Sequence, residues 1–78
     1  MIKVVELTQT CSACPSQWSG VTEDGRDIYV RYRWGHLWIS WGVTGDMILS
    51  RDIGESAWDG LLTYEELVEQ TRGIISWP

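Results

Sequence analysis

The stretch QWSGVTEDGRDIYVRYRWGHLWISWG, residues 17–42, decides the fold of this 78-residue chain. Apolar and polar side chains alternate along it between glycine-containing turns, a pattern typical of consecutive antiparallel strands. Asp24-Gly25 predicts a two-residue hairpin turn, because both central positions of a type I′ turn require a positive φ. Gly35-His36 predicts the second turn. Residues 17–42 are therefore expected to form a three-stranded meander that the rest of the chain covers.

The two predicted turns imply a cross-strand register. The first turn places Trp18 opposite Arg31, and the second places Arg33 opposite Trp38. Since side chains alternate between the two faces of a strand, this register assigns every residue of the meander to one face. The face expected to form the core carries Val21, Ile28, Val30, Tyr32, Trp34, Leu37, Ile39 and Trp41. The opposite face carries Trp18, Tyr29, Arg31, Arg33, Trp38 and Ser40.

The segments that flank the meander complete a small sheet. Residues 2–7 are rich in β-branched side chains and predict a first strand, whereas residues 8–16 are small and polar and predict a loop. Residues 46–53 predict a fourth strand, and residues 54–60 a loop. Residues 74–77 are apolar and predict either an added strand or a plug.

Residues 63–72 predict a helix near the C-terminus. Thr63 is the expected N-cap, and Glu66 three residues later completes a capping box. The expected buried stripe, at helical spacing, is Tyr64, Leu67, Val68 and Thr71. The predicted fold class is α+β, a small antiparallel sheet of 3–5 strands with one helix packed on one face. Residues 1–78 are expected to form a single domain.

The charge of the chain is acidic and unevenly distributed. The formal net charge is −5 at pH 7. Residues 1–43 hold four acidic and four basic side chains, whereas residues 44–78 hold seven acidic and two basic ones. This distribution leaves no basic footprint of the kind that duplex DNA requires. No apolar run is long enough for a signal peptide or a membrane span, so we expect a cytoplasmic protein without membrane contact.

The aromatic and basic face of the meander is the candidate binding site. Its predicted cross-strand neighbours pair tryptophan with arginine, and such cation–π pairs contribute about 0.5–1 kcal/mol when exposed. Aromatic rings stack on planar ligands, and guanidinium groups bind phosphate or carboxylate. The predicted function is therefore that of a small non-enzymatic binding protein, which recognises a protein partner or a small anionic ligand. The predicted binding residues are Trp18, Tyr29, Arg31, Arg33 and Trp38.

The same face has two simpler interpretations. Its side chains could serve only to shield the sheet, or they could be covered by the N-terminal strand, by the Trp77 tail or by a second copy of the chain in a homodimer. The six tryptophans of the chain fit both interpretations, since large aromatic side chains stabilise small cores and also suit interfaces.

A Cys-x-x-Cys pair, Cys11 and Cys14, raises the question of a metal. A structural zinc site needs four ligands, and the two thiols with His36, the sole histidine, supply three at most. An acidic side chain or a second subunit would have to complete the set. Redox chemistry normally needs the pair at the start of a helix in a βαβ unit, which this sequence lacks. Reduced thiols and no cofactor are the favoured interpretation, and a zinc-stabilised module is the alternative.

The remaining motifs point away from catalysis and towards one further kind of binding. No nucleophile elbow, phosphate-binding loop or dinucleotide-binding pattern occurs, so we expect no enzymatic activity. Glu65, Glu66 and Glu69 cluster on the predicted helix and could present carboxylates in place of phosphates. The alternative function is therefore an acidic inhibitor that mimics nucleic acid in the cleft of a nucleic-acid-handling enzyme.

Overall fold

A curled six-stranded sheet packs against one short helix in the computed structural model, which describes residues 1–12, 16–53 and 61–78. The strands are β1 (Ile2–Ser12), β2 (Ser16–Thr22), β3 (Asp27–Arg33), β4 (His36–Ser40), β5 (Met47–Asp52) and β6 (Ile75–Ser76), and the helix is α1 (Tyr64–Gln70). The strands lie in the order β5-β4-β3-β2-β1-β6. The predicted strands of the meander and the predicted fourth strand are therefore confirmed.

The α+β class with one helix is also confirmed, but the sheet is larger than predicted and its pairing is mixed. Within the described residues it has six strands rather than 3–5, and β6 pairs with β1 in parallel. The difference arises from the C-terminal tail. Gly73 adopts a φ of 81° after the helix, and the tail then runs beside β1 with Ile75 opposite Ile2. The added-strand interpretation of residues 74–77 is the one the structure supports.

β1 extends five residues beyond its predicted end. Residues 8–12 were predicted to be a loop, and that prediction is wrong because they pair with β2. Thr8 lies opposite Ser19 and Cys11 opposite Gln17. Pairing satisfies the backbone groups of these polar residues, which outweighs their weak intrinsic strand preference. Ser16, the last residue of the predicted loop, also forms a strand, because it begins β2. Residues 13–15 of that loop, and the loop predicted at residues 54–60, lie outside the described residues.

The first hairpin turn is one residue longer than predicted. The Gly25 N–H donates to the Thr22 carbonyl and the Thr22 N–H donates to the Arg26 carbonyl, both at 2.9 Å. These bonds close a loop of three residues, 23–25, in which Gly25 supplies the left-handed conformation with a φ of 84°. The Thr22 side chain also accepts a hydrogen bond from the Arg26 N–H at 3.1 Å, which stabilises this loop.

The longer loop shifts the register between β2 and β3 by one residue, so that the side chains of β2 exchange faces of the sheet. Trp18 lies opposite Val30, not opposite Arg31 as predicted. A shift of one residue moves every side chain of a strand to the other face. Trp18 is therefore buried in the core with 3% of its surface exposed, and Gln17 takes the place beside Arg31.

The second hairpin turn consists of Trp34 and Gly35, whose φ angles are 54° and 74°. Both angles are positive, as a type I′ turn requires. The turn lies one residue earlier than predicted, which shifts the register between β3 and β4 by two residues. A shift of two leaves each side chain on its predicted face of the sheet. Arg31 rather than Arg33 therefore lies opposite Trp38. Trp34 lies at the tip of the hairpin, 59% exposed, and not in the predicted core.

The core fills the concave side of the sheet. Its buried apolar residues are Val4, Trp18, Ile28, Val30, Tyr32, Leu37, Ile39, Leu62, Leu67 and Ile75. Gly20 is required at the β1–β2 contact, because a Cβ there would lie 2.5 Å from the Glu6 carbonyl oxygen. The side of the sheet away from this core is the convex side, and it carries the predicted site.

Helix α1 begins as the sequence predicts. The Thr63 Oγ1 accepts from the Glu66 N–H, and Glu66 Oε1 accepts from the Thr63 N–H, each at 3.1 Å, so the capping box is confirmed. Within the predicted stripe Leu67 and Thr71 are buried, whereas Tyr64 is 39% exposed. No helix of the described part of the chain is long and apolar enough to cross a membrane.

Candidate anion-binding site

The outer face is the side of the sheet that faces away from the core, and its side chains form cross-strand rows. The central row crosses five strands and contains Cys11, Gln17, Arg31, Trp38 and Ser50. The next row contains Arg33, His36 and Asp52. Tyr29 lies on the other side of the central row, two residues before Arg31 on β3. The register therefore gathers aromatic and basic side chains of β3 and β4 in the middle of the sheet.

Arg31 lies at the centre of the outer face. Its guanidinium carbon is 5.7 Å from the centroid of the Trp38 ring, a cation–π contact between direct cross-strand neighbours. Its Nε is buried and has no hydrogen-bond partner. A buried donor without an acceptor costs about 1–3 kcal/mol, so this arrangement is unfavourable for the stability of the chain.

Arg33, one row away, also forms a cation–π contact with a tryptophan. Its guanidinium carbon is 4.3 Å from the centroid of the Trp34 ring. Across the described residues neither Arg31 nor Arg33 forms an ion pair or a hydrogen bond to an acceptor, whereas the other four cations of the chain do. Those four pairs are Lys3 with Glu23, Arg26 with Asp24, Arg72 with Glu69, and Arg51 with the Gln70 carbonyl. The unpaired positive charge of an acidic chain is thus concentrated on the outer face.

Tyr29 is held in place by its neighbour on β2. The Gln17 side-chain amide donates a 2.8 Å hydrogen bond to the Tyr29 hydroxyl oxygen. The ring is half-buried and lies on the same face as Arg31. This hydrogen bond positions the phenol hydroxyl, whose own proton can be donated to an acceptor on the outer face.

His36 occupies a position that the sequence did not reveal. Its Nδ1 is 2.5 Å from Asp52 Oδ1, and its Nε2 is 2.6 Å from Ser50 Oγ. The imidazole also contacts Trp38, with 4.4 Å between ring centroids. The sequence places His36 in a turn, whereas the structure places it at the start of β4. The only local signal is the Ser-x-Asp spacing of β5, which puts two polar side chains on one face.

The two zinc candidates within the described residues, Cys11 and His36, do not come together. Cys11 lies on β1 and His36 on β4, three strands away in the sheet order. At about 4.8 Å between neighbouring strands, this separates their backbones by roughly 14 Å, too far for one ion. Cys14 lies outside the described residues. In the part of the chain that the structure describes, no group of three or more His, Cys, Asp or Glu side chains could hold a metal ion.

The acidic helix is largely engaged in its own stabilisation. Glu66 forms half of the capping box, and the Glu69 carboxylate accepts from Arg72 at 2.5 Å. Two of the three carboxylates that would imitate phosphates therefore already have partners. This reduces the support for a surface that mimics nucleic acid.

The outer face thus contains Tyr29, Arg31, Arg33 and Trp38 of the predicted binding residues, and Trp18 lies in the core on the opposite side. No family model matches the chain, and no curated protein or solved structure matches it either.

Proposed function

We propose that this chain is a small binding protein that recognises an anionic group, on a protein partner or a small ligand, through Tyr29, Arg31, Arg33 and Trp38. One observation carries the proposal. In the described part of the chain Arg31 and Arg33 are the cations without an acceptor, and each stacks on a tryptophan ring. Trp18 is not included, because the core encloses it.

The chemistry of stacked arginines supports this assignment. A guanidinium that lies over an aromatic ring keeps its in-plane N–H groups available, and these match the two oxygens of a carboxylate or phosphate. Trp38 holds Arg31 in place, so less side-chain entropy is lost when the anion binds. An arginine fork that is held in this way favours oxyanions that present two oxygens, such as carboxylate and phosphate, over spherical ions such as chloride.

The overall charge of −5 does not oppose local anion binding. Exposed charges are screened within about 8 Å at physiological ionic strength. The acidic residues of α1 lie on the far side of the sheet from Arg31. The charge does argue against long anionic polymers such as duplex DNA, which would meet many carboxylates at once.

The proposal is tested by titrating ¹⁵N-labelled protein with sodium phosphate and, separately, with a hexaglutamate peptide. We expect the Arg31 Nη–H resonances to shift with saturation, because these N–H groups gain an acceptor. Binding of the peptide alone would identify a protein partner, and binding of phosphate at comparable affinity would identify a small ligand.

Two variants separate specific binding from general charge. Arg31→Lys keeps the charge but loses the planar fork, so binding should weaken about tenfold or more. Arg72→Ala removes an exposed arginine that is already paired with Glu69, and it should leave binding unchanged. The proposal would be contradicted if both variants changed the affinity equally, or if neither phosphate nor the peptide shifted the Arg31 resonances.

A further inference from the structure

Ser50, His36 and Asp52 form a hydrogen-bonded chain at the edge of the outer face. Ser50 Oγ is 2.6 Å from His36 Nε2, and His36 Nδ1 is 2.5 Å from Asp52 Oδ1. We infer that this cluster is a serine-hydrolase-type site, in which Ser50 attacks small activated carboxylic esters and His36 acts as the general base. The inference goes beyond anion binding and stands without it, because Arg31 takes no part in the cluster.

The strand geometry accounts for the alignment of the three side chains. Ser50 and Asp52 are two residues apart on β5 and therefore lie on the same face. His36 lies opposite Asp52, and Trp38 lies opposite Ser50. The imidazole can therefore bridge both residues of β5 while it packs against Trp38. Its side chain is 23% exposed, and Ser50 is exposed, so the base is held while the nucleophile can be reached.

The hydrogen bonds select the tautomer that catalysis needs. An ionised carboxylate only accepts hydrogen bonds, so Nδ1 must carry the proton that is shared with Asp52. In the neutral imidazole Nε2 then has a lone pair, which can accept from the Ser50 hydroxyl. Geometry and roles, not sequence order, identify a nucleophile, base and orienting acid of this kind. Asp52 is a positioning residue, since it acts through His36.

The backbone of β5 provides a donor for the oxygen of the attacked carbonyl. The Ile53 N–H donates to the Gly35 carbonyl at 2.9 Å. In an antiparallel ladder alternate residues point their N–H groups towards the partner strand, so the Ser50 N–H points away from β4. β5 is the edge strand of the described sheet. The N–H of the nucleophile itself is therefore available to a developing oxyanion, as in serine proteases.

The reaction proceeds in two balanced steps. His36 Nε2 takes the Ser50 hydroxyl proton as Oγ bonds to the ester carbonyl carbon, and the carbon–oxygen bond to the alcohol breaks. The alcohol leaves with that proton, and the acyl group remains on Ser50. Water then gives a proton to His36 and attacks the acyl carbon. Oγ leaves with the proton from the imidazolium, and the acid is released.

The experiment is hydrolysis of p-nitrophenyl acetate by the whole chain, followed by absorbance and by peptide mass spectrometry. We expect an acetyl group on Ser50 before steady turnover. Ser50→Ala and His36→Gln should each lower the rate of p-nitrophenolate release about a hundredfold. Ser76→Ala, at an exposed serine of β6, is the matched control and should retain the wild-type rate. Acetylation of Lys3 or of the N-terminal amine instead of Ser50, or full activity of Ser50→Ala, overturns the inference.

The role of Asp52 has a readout that does not depend on turnover. The chain has one histidine, so the ¹⁵N chemical shifts of a single imidazole report its tautomer. The Nδ1–H form is expected in the wild type, and Asp52→Asn should shift the population towards the Nε2–H form and slow acylation. An Nε2–H tautomer in the wild type would leave Ser50 without a base and would overturn the inference. Circular dichroism confirms that each variant remains folded.

Discussion

Arg31 and Trp38 are direct neighbours on adjacent strands, and the guanidinium carbon of Arg31 lies 5.7 Å from the centroid of the Trp38 ring. The Arg31 Nε is buried and has no acceptor within the described residues. A chain that folded for stability alone would gain by replacing this arginine with an apolar residue. The pair therefore connects the stability of the sheet with the proposed anion binding.

Arg31→Met should raise the free energy of unfolding by about 1 kcal/mol. The variant removes a buried unpaired donor, which costs about 1–3 kcal/mol, and loses a cation–π contact of about 0.5–1 kcal/mol. Urea denaturation measures the difference, and the phosphate and peptide titrations should show loss of binding. Arg33→Met is the control, since its Nε is not among the buried unpaired atoms and its replacement should change stability less. Destabilisation by Arg31→Met would show that the Nε finds an acceptor in solution.

Trp34→Asn should also stabilise the chain, by about 1 kcal/mol. Trp34 has a φ of 54°, and a left-handed conformation costs a residue other than glycine or asparagine roughly 1–2 kcal/mol. Asn-Gly is the preferred sequence for a type I′ turn. The measurement is again urea denaturation, with Trp34→Ala as the control that removes the ring without relieving the backbone. If both variants destabilise the chain equally, stacking with Arg33 contributes more than the turn conformation.

Thr71→Val should lower the free energy of unfolding by about 1–3 kcal/mol. The buried Thr71 hydroxyl donates to the Leu67 carbonyl and accepts from the Trp77 Nε1–H, both at 2.7 Å. Valine has the same shape but leaves the indole N–H without its acceptor. Thr71→Ser retains the hydroxyl and should recover most of the loss. A double-mutant cycle with Trp77→Phe measures the coupling free energy between Thr71 and Trp77. A coupling near zero would contradict the hydrogen bond between them.

Thr22→Val should raise the pKa of Asp24. The hydrogen bond from the Thr22 hydroxyl, assisted by Arg26, lowers the pKa of this carboxyl below its ordinary value of 3.8. Since the pKa is lower in the folded state, the resulting stability is fully present above the ordinary value and is lost as the pH falls through the folded-state pKa. A ¹³C NMR titration of the Asp24 carboxyl measures the change. Thr8→Val replaces an exposed threonine and should leave the pKa of Asp24 unaltered. If Thr22→Val also left this pKa unchanged, the Thr22 hydrogen bond could not be its cause.

Much of the fold follows from local sequence patterns. Period-two alternation predicts β3, β4 and β5, and Thr63 with Glu66 predicts the start of α1, because these signals act between residues a few positions apart. Tyr29, Arg31 and Arg33 share one face for the same reason. These features depend on neither the neighbouring strands nor the core.

The tertiary structure decided which side chains contact one another across the strands. Backbone hydrogen bonds of Thr22, supported by its side chain, close a three-residue loop where Asp24-Gly25 alone favours a two-residue turn. That one-residue difference buries Trp18. Likewise, His36 meets Ser50 only because β4 and β5 pair in one particular register. The sequence by itself determined β3, β4, β5 and the start of α1, whereas the extension of β1 over residues 8–12 depends on its pairing with β2. Register depends on loop closure and core packing, which involve contacts between residues distant in sequence, and only the folded chain decides it.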